Sequence, residues 1–344
     1  MATTFPISAR TSVPPRSLRA ILRRDRVASA IIREWRTLTD GARTLVACSG
    51  GADSTALALV LGAEAPDLIA LAYIRHDIRP EASTEAEVNH VWECARRLEV
   101  ECVVRSVPTP AGNTEGGARR ARYDALRSLA DDRACSYVAT AHHADDQLET
   151  LLLAIGRGAG LRGMSGIRRQ RPIGESAIQL IRPMLHTSHR EAERLCQLAD
   201  SNWCEDATNQ DRSIRRNAVR ASIAPGLTRI MPYMPQKAAD AATLLHDAAE
   251  VIDDAARAIF GDQFGWPRAT LQSARRIVVG AGLRMAYARL THCDGLDQLS
   301  KRKVDAALDA IFDSDTHTRC FRWPSRVDVM VTAGLVHMQR GNEA

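Results

Sequence analysis

Residues 44–61 restrict the fold more than any other stretch of this chain. Thr44-Leu45-Val46-Ala47-Cys48 is a short apolar run of the kind that forms a buried strand. It breaks at Ser49-Gly50-Gly51, and from Ala56 to Leu61 the residues are Ala and Leu with one Val, a helical composition. A strand therefore passes through a glycine turn into a helix. Two glycines let the backbone approach a ligand closely and turn its N–H groups inward. The helix N-terminus adds partial positive charge, and Ser49 and Ser54 add hydroxyl donors. The result is an anion cradle, most often for phosphate. The competing reading, a tight turn with Asp53 as an ordinary first-turn acid, explains less, because strand and helix are both present. No Gly-Lys-Ser/Thr follows the loop, so it is not the phosphate loop of the large NTPase class.

Strand and helix patterns then alternate. Leu68 to Ile74 reads as a second strand, ending in Arg75-His76-Asp77-Ile78-Arg79-Pro80. Thr84 to Leu98 has an amphipathic helical pattern, Glu101 to Val107 is a third strand, and Thr114 to Asp131 is a helix carrying Arg119, Arg120 and Arg122. Ser136 to Ala141 is a fourth strand, after which His142-His143-Ala144-Asp145-Asp146-Gln147 opens a helix to about Ile155. This alternation predicts an α/β fold, a doubly wound parallel sheet covered on both faces. Ligands sit at the carboxyl ends of such strands, so the glycine loop, the His76 segment and the His142 segment are expected to converge.

Farther on, Gly156 to Gly163 is rich in glycine and arginine, either a linker or a mobile phosphate-contacting flap. Ile178 to Ile181 reads as a short strand closed by Arg182-Pro183, and Ser188 to Asp200 as a helix. Arg215-Arg216-Asn217-Ala218-Val219-Arg220 opens a basic helix that stops before Pro225-Gly226. Residues 1–38 are expected to be a disordered tail leading into a first helix from Ser17 to Leu38, and residues 39–227 a catalytic domain. Residues 228–238, with Pro232 and Pro235, read as a linker. Residues 239–344 are expected to form a smaller, mainly helical domain ending in a β-hairpin around Gly334.

With 344 residues the chain is long enough for two domains. Its net charge is +5, and Lys occurs only at 237, 301 and 303, so nearly all the positive charge is Arg. Arg suits bidentate contact with phosphate, which makes a polyanionic partner plausible; coding preference explains the bias equally well. The eight Cys form no Cys-x-x-Cys pair, which argues against a zinc or iron–sulfur site and a disulfide framework and fits a reducing cytoplasm. No run of 18 apolar residues exists, so no membrane span is expected. Residues 1–24 carry Arg, Ser and Pro without an acid, as an organellar transit peptide does, although a disordered tail accounts for them more simply.

His142 and Asp146 lie four apart and are expected to share a helix face, where they could bind Mg²⁺ or act as a general base. A helix cap with exposed acids is the plainer alternative. Ser49-Gly50-Gly51-Ala52-Asp53-Ser54 resembles the loop of the N-type ATP pyrophosphatases, which adenylate a substrate oxygen and release pyrophosphate. In that light Asp53 holds Mg²⁺ beside a polyphosphate. Further motifs narrow the likeness: His76 with Arg79; Asn113-x-Glu115-x-x-Ala118-Arg119-x-x-Arg122-Tyr123; His142-His143-Ala144-Asp145-Asp146-Gln147-x-Glu149-Thr150; Gly158-x-Gly160-Leu161-x-Gly163; Arg182-Pro183; and Asp206-x-x-Asn209 before Arg216-Asn217-x-x-Arg220. Together, across roughly 43–227, they resemble the tRNA(Ile)-lysidine synthetases.

The resemblance implies a PP-loop domain of the adenine-nucleotide α-hydrolase type. It implies ATP, Mg²⁺, an isoleucine tRNA and free L-lysine as cofactors and partners, in the cytoplasm, and leaves a homodimer open. ATP would adenylate the C2 oxygen of the wobble cytidine, and the lysine ε-amine would displace AMP to give lysidine. Ser49, Gly50, Gly51, Ala52, Asp53 and Ser54 would hold the nucleotide, and Asp53 and Asp146 the metal. Asp53, His142 and Asp146 would be catalytic, with Asp146 or His142 taking the lysine proton. Arg119, Arg122, Arg216, Asn217 and Arg220 would hold tRNA, with the basic helix standing away from the glycine loop. Two departures are visible. Asp77 stands where the family usually has glycine, and Thr208 stands in the family's Asp-x-Ser-Asn. The chain is also expected to lack the additional terminal domain of longer members. A tRNA thiolation enzyme of the same class is the runner-up, but it would need a sulfur carrier that is not visible. A non-catalytic RNA-binding protein would not require Asp53 and Asp146.

Overall fold

The computed structural model describes residues 2–4, 15–76, 81–108, 115–205, 215–292 and 299–341. Two compact units emerge, residues 1–158 with 164–243, and residues 159–163 with 244–344.

In the first unit, strands β1 (Ala2–Thr4), β2 (Thr44–Ala47), β3 (Ile69–His76), β4 (Glu101–Val107), β5 (Tyr137–Ala139), β6 (Gln170–Pro172) and β7 (Gln179–Ile181) form one sheet. Its order is β1-β4-β3-β2-β5-β7-β6. The five inner strands are parallel, and β1 and β6 add antiparallel edges. Neither edge strand was anticipated: β1 lies in the stretch expected to be a disordered tail, and β6 is a short polar turn segment. Thr44 pairs with Ile69 on one side and Tyr137 on the other, so β2 is central. The winding reverses between β2 and β5, and the crevice of a doubly wound sheet opens at that reversal.

The residues of β2 explain why both faces are covered. Side chains alternate along a strand. Val46 therefore packs with helix α3 (Ala52–Glu64) on one face, while Leu45 packs with α5 (Glu115–Asp132) on the other. The single first helix expected at 17–38 is two, α1 (Pro15–Arg24) and α2 (Arg26–Thr39). Asp25 breaks them: its backbone is extended, and its carboxylate accepts from the amides of Val27 and Ala28 at 2.9 and 3.1 Å. Buried Glu64, at the end of α3, holds both helices through Arg19, Arg23 and Arg36. The remaining helices of this unit are α4 (Glu81–Leu98), α6 (Ala144–Gly156), α8 (His189–Leu198), α9 (Arg215–Ser222) and α10 (Ala224–Ile230).

The short helix α7 (Leu161–Met164) precedes β6. The stretch read as a linker, 228–238, instead carries the end of α10 and the start of α11 (Met234–Phe260). Pro225 and Pro235 sit in the first turns of these helices, where a missing N–H costs nothing. The boundary between the units falls inside α11, after Thr243.

In the second unit, β8 (Gly265–Pro267), β9 (Arg319–Trp323), β10 (Val327–Val331) and β11 (Leu335–Arg340) form an antiparallel sheet, β8-β11-β10-β9. The expected hairpin is β10–β11, and β8 and β9 widen it. This sheet packs on α13 (Arg276–Thr291) and α14 (Lys301–Phe312) around Trp266, Tyr287, Phe260 and Trp323. Buried Arg268, in α12 (Arg268–Ser273), donates to the carbonyls of Ala310, Ile311, Asp313, Asp315 and Thr332, satisfying the C-terminal end of α14. Among the described residues no helix is long and apolar enough to cross a membrane.

Gly282, in the middle of α13, lies where a Cβ would overlap the Phe260 ring. Ala normally stabilises a helix interior by about 1 kcal/mol over Gly. Here Gly282→Ala is expected to destabilise by about 1–3 kcal/mol through overpacking. Phe260→Leu in the same chain should recover part of that loss. Denaturant titration of the two variants checks both signs.

Candidate active site

The glycine loop is built as expected. Gly50 adopts φ +84°, a conformation side chains resist, and approaches the backbone of Glu87. Gly51 is the N-cap of α3, with no side chain to satisfy the first N–H groups of the helix. Ser54 locks the turn. Its hydroxyl accepts from the Ser49 amide at 3.1 Å, donates to the Gly51 carbonyl at 3.0 Å and meets the Ser49 hydroxyl at 3.1 Å. The Cys204 amide ties down the Gly50 carbonyl at 2.9 Å. The loop is thus preformed, with its amides and the positive end of α3 left for an anion.

Three helix starts meet beside it. Asp53 lies in the first turn of α3, His143 is the N-cap of α6, and His189 opens α8. His189 Nδ1 is 2.9 Å from Asp53 Oδ1. His143 Nε2 lies 3.5 Å from Asp53 Oδ2 and 3.6 Å from Asp146 Oδ2, and its Nδ1 lies 3.4 Å from Asp145 Oδ2. Ligand atoms of Asp53, His143 and His189 fall within 4.8 Å of one another, as a metal site would require.

Charge sharing follows from this packing. Burial opposes a charge on His143, but Asp146, Asp145 and Asp53 outweigh it and raise its pKa well above the ordinary value. Burial likewise disfavours the Asp53 carboxylate, yet His143 and His189 hold it well below the usual range. The hydrogen bond that His189 donates to Asp53 raises the His189 pKa. The packing thus favours the charged form of His143 among three carboxylates.

His142 has a different surrounding. The helix starts at Ala144, so His142 precedes it and does not share a helix face with Asp146. Asp146 instead caps the helix by accepting from the His143 amide at 3.1 Å. The imidazole facing Asp53 and Asp146 is that of His143. Burial, with Arg182, Arg119 and Arg122 nearby, pushes His142 well below its ordinary pKa against the pull of Asp146. Its Nδ1 meets the Thr140 hydroxyl at 2.9 Å.

The basic helix α9 closes the site rather than standing apart. Arg216 Nε and Nη2 reach Glu149 and Asp146, each at 2.8 Å. Arg220 reaches Glu149 through Nε at 2.5 Å and Asp146 through Nη2 at 3.2 Å. Burial disfavours the Arg220 charge, but Glu149 and Asp146 outweigh it and raise its pKa. Both arginines thus pair with carboxylates. Together with Ser49, Asp53, Ser54, Glu87, Arg122, His142, His143 and Asp146 they line one cavity of about 320 Å³. Asn217 lies between them on α9. Arg119 and Arg122 lie on α5, the first exposed and the second half-buried. Asp77, Arg79, Asn113, Asp206, Thr208 and Asn209 fall outside the described residues, as does the side chain of His76.

His143, His189 and Glu149 carry parts of this site that residue spacing did not assign. For His189 a local signal exists: Ser188-x-x-Glu191 is a capping box that places a helix start there. Nothing local says that this start faces Asp53.

A family model described as a PP-loop domain matches residues 24–227. A tRNA(Ile)-lysidine synthase of Salinispora arenicola is 35% identical over 60% of this chain and 62% of its own length. That of Salinispora tropica is 36% identical over 65% of this chain and 68% of its own. The chain belongs to the PP-loop family of the tRNA(Ile)-lysidine synthases. It spans a little under two thirds of the first relative's length. Among solved structures, the U34-tRNA thiolase NcsA of Methanococcus maripaludis aligns at 14% identity and a TM-score of 0.49, covering 67% of this chain and 78% of that one.

The depressed pKa of His142 gives this PP-loop protein a testable acid response. A histidine held neutral in the fold binds fewer protons than in the unfolded chain once pH falls below its ordinary value of 6.5. Its contribution to stability is then lost as pH falls. Between pH 7 and pH 5 the difference in unfolding free energy between wild type and His142→Gln should shift in favour of the variant. Denaturant titrations at the two pH values measure it.

Proposed function

We propose that this chain uses ATP to join free lysine to C2 of the wobble cytidine of an isoleucine tRNA. The carrying observation is that one cavity is lined by both the preformed PP-loop and Asp146, Arg216 and Arg220, with Glu149 buried against the two arginines. In the first step the cytidine O2 attacks the α-phosphorus of ATP and pyrophosphate leaves. In the second the lysine ε-amine forms a bond to C2, the C2–O bond breaks, and AMP leaves with that oxygen.

The loop amides and the N-terminus of α3 bind and orient the phosphates. Asp53 and Asp146 fit a divalent cation, since both carboxylates converge on His143 Nε2, at 3.5 and 3.6 Å, where an imidazolium now supplies the countercharge. Oxygen donors of this kind suit Mg²⁺, which when bound neutralises charge developing on the phosphates. The acid and the arginines lining the cavity suit an amino acid: Asp146 accepts from an ammonium group, while Arg216 and Arg220, positioned by buried Glu149, take the carboxylate. Asp146, with its pKa lowered despite burial by His143, His142 and Arg216, is ionised and able to receive the proton of the attacking amine. Sulfur transfer fits poorly, because burial pushes the thiol of Cys48, the cysteine lining the cavity, up to about 11. Free thiols persist in a reducing cytoplasm, where we place the chain.

Asp53→Ala is expected to lower ATP–pyrophosphate exchange by about 10²–10³-fold in a folded protein. Glu149→Gln should raise the KM for lysine by at least about tenfold, the scale of one lost charged hydrogen bond, with the KM for ATP little changed. Transfer of radiolabelled lysine to total tRNA by the purified protein with ATP tests the reaction itself. No transfer would refute it.

A further inference from the structure

Beside the cavity, four arginines surround one tyrosine. The ring of Tyr123 lies 5.1 Å from the guanidinium carbon of Arg119, 5.6 Å from that of Arg122 and 5.1 Å from that of Arg171. Arg182, just after β7, adds a fourth guanidinium charge acting on the same tyrosine. Tyr123 and Arg182 are only 6% and 3% exposed. Both carry a buried polar atom, the Tyr123 hydroxyl and Arg182 Nε, that meets no partner in hydrogen-bonding geometry. Among the described residues no carboxylate forms an ion pair with any of the four arginines. This contrasts with Arg216 and Arg220, which pair with Asp146 and Glu149.

Four like charges around one ring, two buried polar atoms without a partner and no ion-paired carboxylate describe a site whose counterion is not part of the protein. We propose that Tyr123, Arg119, Arg122, Arg171 and Arg182 form a phosphate-binding site distinct from the PP-loop, its ligand a phosphoryl group with Tyr123 donating from below. Cation–π contact holds the guanidiniums over the ring, so their forks are arranged before the anion arrives. Arg182 Nη1 donates to the Arg168 carbonyl, but Arg182 Nε and the Tyr123 hydroxyl are buried without a partner, which is costly, and an anion offers acceptors for both. Burial and the neighbouring Arg171 and Arg119 push the Arg182 guanidinium down to about 10 against the pull of Tyr123, a strain that a bound anion relieves. Arg122 also lines the main cavity, so the site opens next to the reacting groups.

The reading rests on the proposed reaction only for the source of the phosphate, which is a phosphodiester of the substrate RNA or the pyrophosphate released from ATP. Direct binding to Tyr123→Phe and Arg171→Gln separates these sources without requiring lysine transfer. Tyr123→Phe removes one hydroxyl, and Arg171 is half-exposed on an edge strand, so both variants are expected to fold. If the RNA supplies the group, Arg171→Gln lowers the salt slope of binding to an anticodon stem-loop RNA by about 0.7–0.9. Tyr123→Phe then weakens RNA binding several-fold, and inorganic pyrophosphate binding stays as in wild type. If pyrophosphate is the ligand, both variants weaken its binding about tenfold and leave the RNA slope alone. Folded variants that bind both probes as wild type does would overturn the proposal and leave the cluster a packing feature.

Discussion

An imidazolium between carboxylates is the contact on which the rest of the site depends. Carboxylates gather at helix starts because the unpaired amides there favour negative charge. In this chain α3 and α6 place Asp53, Asp145 and Asp146 in one small volume. Left alone these acids would repel one another. His143, buried and reaching all three, makes their proximity tolerable, and His189 adds a second ring against Asp53. The same acids attract the arginines of α9, so a helix more than sixty residues distant in sequence is drawn over the cavity. A polyphosphate with its cation brings charges of both signs into this balance, which is why the site suits a nucleotide.

The sheet decides where this balance is struck. Because β2 lies between β3 and β5 and the winding reverses there, the loops after β2 and β5 open into one crevice. Their contents are the glycine turn and the two histidines. The second unit has its own core around Trp266 and Tyr287, and its buried Arg268 ties a helix end to the sheet.

Much of this was legible in the sequence. The apolar runs of β2 to β5 and the glycine turn lead to the parallel sheet and its phosphate cradle, because strand periodicity and turn chemistry are local. The edges were not: Ala2–Thr4 and Gln170–Pro172 are short and polar and become strands only by pairing with β4 and β7. The break at Asp25 was readable as a cap but was overridden by the helical residues around it. In the site, His142 drew attention by its spacing from Asp146, yet the helix begins two residues later and the ring facing the acids is that of His143. The ion pairs of Arg216 and Arg220 were not legible because their partners, Asp146 and Glu149, lie about seventy positions away. Pairings of that range leave no trace in residue spacing.

The central claim is that one cavity first adenylates an oxygen of the RNA base and then replaces that oxygen with lysine. It is tested most directly by following the oxygen. A substrate tRNA carrying a heavy oxygen isotope at C2 of the wobble cytidine would be incubated with the protein, ATP and lysine, and the AMP examined by mass spectrometry. The account predicts that AMP acquires the heavy oxygen, one atom for each lysine joined. Unlabelled AMP alongside lysine transfer would contradict it, because the base oxygen would then never have been bonded to phosphorus.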